Sequence, residues 1–188
     1  IYEINGLQDA KWQTFDTPWG SPSDQILTGE INGVKMAFLP RHGRGHTLSP
    51  SSVPYRANID ALKRLGVSDL VSVSACGSFR EEMAPGDFVI VDQFIDRTFA
   101  REKSFFGSGC VTHVSMAYPT CARLSKACFD VANEAGIPVH FGGTYLAMEG
   151  PQQQRPSSPL IWWISRSPWR PSWRAAGCGS QGWPRVRG

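Results

Sequence analysis

All the acidic residues of this chain lie before Pro151, and that asymmetry limits where a fold can be sought. Residues 1–150 carry 13 Lys or Arg against 16 Asp or Glu, a net −3, whereas residues 151–188 carry six arginines and no acid, a net +6. The overall charge of +3 is therefore a property of the tail, and it gives the main segment no reason to bind nucleic acid. The tail, residues 152–188, also holds five of the seven tryptophans, and Pro156, Pro159, Pro168, Pro171 and Pro184 break any long helix there. Only Leu160 to Ile164 fits a short strand. This residue usage matches no structural class, and a shifted reading frame accounts for it better than a genuine tail or a splice variant. Stacking of basic and aromatic residues on nucleic acid ranks below those readings.

Upstream, short apolar runs alternate with turn signals. Ile26 to Ile31 and Val34 to Leu39 flank Asn32-Gly33, the strongest short hairpin signal. Tyr55, Ile59, Leu62 and Leu65 follow a helical period that Gly66 ends. Leu70 to Ser74 is a β-branched-rich strand, and Phe88 to Val91 another, introduced by the turn Pro85-Gly86-Asp87. Cys121 to Ala135 is an amphipathic helix closed by Gly136, and Gly143 to Met148 a further strand. Strand–helix–strand order of this kind predicts an α/β fold with a mixed sheet covered by helices.

No run approaches the ~20 apolar residues of a membrane span. The first residues lack the basic and apolar regions of a signal sequence, which predicts a cytoplasmic protein. The first residue is not Met, which predicts a chain beginning inside a longer protein. Five cysteines with no Cys-x-x-Cys pair argue against a disulfide framework or a zinc knuckle and for reduced thiols.

The chemistry concentrates at Arg41-His42-Gly43-Arg44-Gly45-His46, directly after an apolar run. Arginine presents a planar fork matched to phosphate or carboxylate oxygens, and glycine lets the backbone approach an anion. Arg41 in such a setting points to phosphate, with a carboxylate partner as the plain alternative. His42 and His46 have the spacing of two metal ligands on a helix, but Gly43 and Gly45 oppose a helix and no third ligand is evident. His46 fits a sugar contact or a loop brace equally. Ser74 to Ser78 leaves a strand through small residues whose amides and hydroxyls can form an anion nest. Asp92 and Asp96 beside Arg97 have the look of an acid–base pair but are expected to tie their loop together. Cys76 has no evident His partner and is read as a small buried residue, and His140 as a solvated or core histidine.

Together these segments resemble the trimeric purine nucleoside phosphorylase family, and most closely its methylthioadenosine-cleaving branch. The resemblance covers residues 1–151. It includes DTPWG from Asp16, PSD from Pro22, RHGRGH, Tyr55-Arg56-Ala57-Asn58, SACGSFREE from Ser74, PGD from Pro85 and DQFIDRT from Asp92. It implies a single α/β domain with a central mixed sheet flanked by helices, a homotrimer, no cofactor and no metal, with inorganic phosphate as a substrate. The implied reaction is phosphorolysis: phosphate attacks the anomeric carbon of S-methyl-5′-thioadenosine through an oxocarbenium-like transition state, and adenine leaves, in purine and methionine salvage. By position, Arg41 and His42 match the family's phosphate pair, and Ser74 and Ala75 a second contact through hydroxyl and amide. Cys76 and Gly77 fall where the family lines the purine pocket. His113 matches a histidine presented to a neighbouring subunit's substrate. The 6-oxopurine phosphorylases are the runner-up branch.

The departures carry expectations too. The family's opening strand with a phosphate-gripping Ser or Thr precedes Ile1. Its Met-Thr pair and the Asp loop that assists the purine fall beyond Pro151, so no catalytic acid is assigned in this chain. An inactive truncated product that binds phosphate or joins a trimer is accordingly the reading from another class.

Overall fold

The computed structural model describes residues 4–149 and the backbone of Leu160–Arg166. The chain forms two units. One holds residues 4–68, 96–103 and 146–149; the other holds residues 69–95 and 104–145 with the strand at Leu160–Arg166.

The first unit opens with an antiparallel sheet of β1 (Gln8–Gln13), β2 (Ile26–Ile31) and β3 (Val34–Phe38), in that order. Asn32 and Gly33 both take positive φ, 50° and 80°, and Ile31 pairs with Val34, so the hairpin turn forms where Asn-Gly places it. β1 was not legible: its sequence QDAKWQ lacks apolar alternation, and its register shifts between Gln8 and Lys11, where Asp9 has φ 52°. Helix α1 (Tyr55–Arg64) buries Ala57, Ala61 and Leu62, and Ile26, Leu27 and Val53 are buried in the same unit. It ends in a Schellman turn: Gly66 takes φ 80°, its N–H reaches the Lys63 carbonyl at 2.9 Å, and Val67 N–H reaches Leu62 at 3.2 Å.

α1 also buries two polar residues. Asn58 accepts the Ser23 N–H and donates to Ser23 Oγ, both at 2.8 Å, which fastens the segment before β2 to the helix. Asp60 pairs with Arg64 one turn on, at 2.6 Å.

In the second unit, β4 (Asp69–Ala75), β5 (Phe88–Ile90), β7 (Val139–Phe141) and β9 (Leu160–Arg166) form a mixed sheet in the order β4-β9-β5-β7. β9 runs antiparallel to β4 and parallel to β5, and β5 runs parallel to β7. The strand expected at 160–164 is thus present as β9; the rest of the tail lies outside the described residues. Helix α2 (Ala122–Glu134) packs on β5 and β7 and closes with a second Schellman turn at Gly136. The turn before β5 is of type II form, with Gly86 at φ 96° and Asp87 N–H on the Ala84 carbonyl at 3.1 Å. β6 (Gln93–Arg97) and β8 (Thr144–Met148) form a third, two-stranded sheet. The α/β class with a mixed sheet agrees with the expectation; β1, β6 and β7 add strands that the periodicity did not show.

Candidate active site

Strand β3 delivers the chain through buried Pro40 into the loop Arg41–Leu48. This loop closes on itself. Gly43 N–H binds the Pro40 carbonyl at 2.8 Å, His46 N–H binds Gly43 at 3.0 Å, and Leu48 N–H binds His42 at 3.0 Å. The closure needs left-handed backbone at Gly43, φ 73°, and a Cβ there would stand 3.0 Å from Thr47 Oγ1.

The four basic side chains divide by role. Arg44 is a strut: its guanidinium grips Asp24 in a bidentate pair at 3.0 and 2.9 Å, its own N–H adds a contact at 2.7 Å, and it lies over the Trp12 ring at 4.4 Å. Arg44 holds the Asp24 carboxyl down at about 2. His42 is oriented by Nδ1, 2.8 Å from the Leu48 carbonyl, and Arg41 Nε donates to its Nε2 at 3.4 Å. The His46 ring stacks on His42, centroids 4.5 Å apart, so among the two roles left open for His46 the loop brace is the one with a contact here. The described residues contain no group of three metal-ligating side chains.

In the second unit, β4 alternates in exposure, placing Leu70, Ser72 and Ser74 on its more covered face and Val71, Val73 and Ala75 on the other. Ser74 and Ala75 end the strand, and Cys76 and Gly77 follow in an irregular, half-buried segment. Burial pushes the Cys76 thiol up to about 11, which suits a packing residue and not a nucleophile. His113 sits in an exposed irregular segment whose neighbours Val111, Val114, Met116 and Tyr118 are exposed as well. Thus Arg41 and His42 are brought together in one unit, and Ser74 to Gly77 and His113 belong to the other.

The two aspartates do brace loops, though with partners other than Arg97. Asp92 Oδ1 accepts the Gly143 N–H at 3.1 Å, and Asp96 Oδ1 accepts Thr98 N–H and Oγ1 at 2.8 and 2.7 Å. The Thr98 hydroxyl leads the influences that lower the Asp96 carboxyl. His140 is neither solvated nor a core residue; it contacts Asp87 at 2.8 Å, and that contact is the main reason the Asp87 carboxyl is lowered.

Sequence reasoning missed Glu149. Its carboxylate, 6% exposed, accepts the N–H groups of Ala100 and Phe99 at 2.8 and 2.7 Å and the Ser51 hydroxyl at 3.2 Å, and pairs with Arg101 at 3.2 Å. The two amides, Ala100 foremost, hold it below the usual carboxylate range. Its partners Ser51, Ala100 and Arg101 line a cleft of about 260 Å³ in the first unit, together with Trp19, Tyr55 and Arg56, and Arg56 lies over Trp19 at 4.6 Å. A lone acid before Gly-Pro gives no local signal of partners 50 and 98 residues away.

The loop bearing Arg41 and His42 thus follows strand β3 in a chain of α/β class. The phosphorylase superfamily matches this chain over residues 4–162, and the chain belongs to that family. Among curated relatives, it is 72% identical over 162 residues to the S-methyl-5′-thioadenosine phosphorylase of Cereibacter sphaeroides, covering 86% of this chain and 56% of the relative. The Rhodospirillum rubrum enzyme of the same name is 62% identical over 152 residues, covering 81% and 52%. The chain thus spans about half the length of the curated relatives it matches. Among solved structures it is similar to a methylthioadenosine phosphorylase from an antarctic soil metagenomic library, with a TM-score of 0.76, 36% identity, and coverage of 94% of this chain and 74% of that one. The Schistosoma mansoni methylthioadenosine phosphorylase solved with adenine gives a TM-score of 0.73 at 28% identity, covering 87% and 77%. No helix among the described residues is long and apolar enough to cross a membrane.

Proposed function

We propose that this chain carries the phosphate-binding portion of an enzyme that cleaves S-methyl-5′-thioadenosine with phosphate, giving adenine and S-methyl-5-thioribose 1-phosphate. The observation that carries the reading is the self-closed loop in which Arg41 and His42 stand side by side while Arg44 is spent on Asp24. The names of the relatives support the substrate. Arg41 supplies a permanent positive charge and directed donors to the nucleophilic phosphate, and His42 a hydrogen bond that fixes its orientation. Ser74 hydroxyl and Ala75 N–H provide the second phosphate contact, and Cys76 and Gly77 line the purine pocket. His113 serves the site of a neighbouring subunit in a homotrimer. The reaction uses no cofactor or metal, because the nucleophile arrives already anionic and the leaving purine needs only a hydrogen-bond donor. The enzyme acts in cytoplasmic purine and methionine salvage, without nucleic-acid or membrane partners.

A coupled assay for adenine release from methylthioadenosine, with and without phosphate, tests this on the full chain. Phosphate-dependent release supports the reading. A well-folded chain that binds phosphate without releasing adenine would place it as a binding fragment, and phosphate-independent release would remove the nucleophile from the scheme. Inosine offered in parallel separates the 6-oxopurine branch.

A further inference from the structure

We propose that His42 reads the proton carried by the bound anion, so that the loop takes hydrogen phosphate in preference to sulfate. The proposal rests on the assignment of Arg41 and His42 to phosphate. It follows from the partners of the two ring nitrogens. A backbone carbonyl only accepts, so Nδ1, 2.8 Å from the Leu48 oxygen, must carry a hydrogen. The Arg41 Nε–H only donates, so Nε2, 3.4 Å away, presents its lone pair. The reciprocal bond from Leu48 N–H to the His42 carbonyl, at 3.0 Å, makes that tautomer part of the loop's closure.

An anion that takes over the Arg41 donors leaves Nε2 facing acceptor oxygens. Two lone pairs repel, and the contact becomes a hydrogen bond only when a proton lies between them. Hydrogen phosphate brings one on its own O–H. Sulfate at neutral pH has none, so its binding requires uptake of a proton from water onto Nε2. Among the described residues, the charged or titratable groups in contact with the imidazole are Arg41 and the stacked His46 ring, and Arg44 on the same loop is turned onto Asp24 and Trp12.

Isothermal titration of the full chain with sodium phosphate and sodium sulfate, from neutral to mildly alkaline pH, tests this. Sulfate affinity should fall about tenfold per pH unit, as obligate uptake of one proton demands, while phosphate affinity changes less than about threefold. Equal pH slopes for the two anions overturn the proposal. Long-range ¹H–¹⁵N spectra of the histidine rings provide a reading without ligand: the neutral ring of His42 should be protonated at Nδ1. A ligand-free ring protonated at Nε2 overturns the proposal while leaving phosphate binding itself intact. Failure of phosphate to bind, with the expected tautomer present, removes the phosphate assignment and this proposal with it. The variant His42→Gln, whose amide can donate to either anion, should lose the steep sulfate slope; retention of that slope also overturns the proposal.

Discussion

The two segments assigned to phosphate are held in opposite ways. Arg41–Leu48 is closed by three backbone hydrogen bonds of its own and by the Arg44–Asp24 strut. Ser74–Ser78 leaves the end of β4 into irregular chain, where the bonds given to Ser78 are both with Arg80, and Phe79 is 90% exposed. The first is a preformed loop, whose ordering cost falls in folding, so that a ligand seated there would not have to meet it on binding. The second is carried by the end of β4, which pairs with β9.

Substitutions on the two sides should therefore behave differently. Arg41→Ala removes a charged donor from the preformed side and should weaken phosphate binding by about 1.5–3 kcal/mol, roughly 10- to 150-fold by titration. Asp24→Asn cuts the strut and should lower unfolding free energy by about 1–3 kcal/mol in urea titrations. Because the folded Asp24 carboxyl is lowered from 3.8 to about 2, its contribution is complete above the unfolded value and is lost as pH falls through that window. The Asn variant should lack that part of the acid dependence. Gly43→Ala should cost about 1–2 kcal/mol, since φ 73° is unfavourable for a residue with Cβ and the methyl meets Thr47. Ser74→Ala on the open side should weaken phosphate by only about 0.5–1.5 kcal/mol, roughly two- to twelvefold. Smallest of all, iodoacetamide at neutral pH should leave Cys76 almost unmodified in the native chain, with labelling rising only as pH approaches about 11; mass spectrometry reads this directly. A Ser74 effect larger than that of Arg41 would reverse the comparison.

What the sequence made legible is what local chemistry decides. Asn32-Gly33 marked its hairpin, and Gly66 and Gly136 marked helix ends, because each conformation is set within a few residues. The RHGRGH segment announced a bent, cationic loop for the same reason. Its division of labour was not legible. That Arg44 belongs to Asp24 depends on Asn58 fastening Ser23 to α1, a contact across 35 residues. Glu149 escaped notice because its partners are backbone amides and a serine brought to it by tertiary structure. β1, β6 and β7 escaped because edge pairing and short length leave little apolar alternation to read.

The exit from α2 acts as a ruler. After Gly136 the chain spends Ile137 and Pro138 before β7; the Pro138 carbonyl receives Phe88 N–H at 2.9 Å, and the ladder then sets Val89 beside His140. One residue inserted in that link would slide β7 by a single step and exchange its two faces. His140 would then turn away from Asp87, undoing the bond that joins the strand to the turn before β5. A change of length in this link, whether of one residue or two, should therefore cost the strand its tie to the turn, so the spacing between helix and strand is itself a fixed dimension of the second unit.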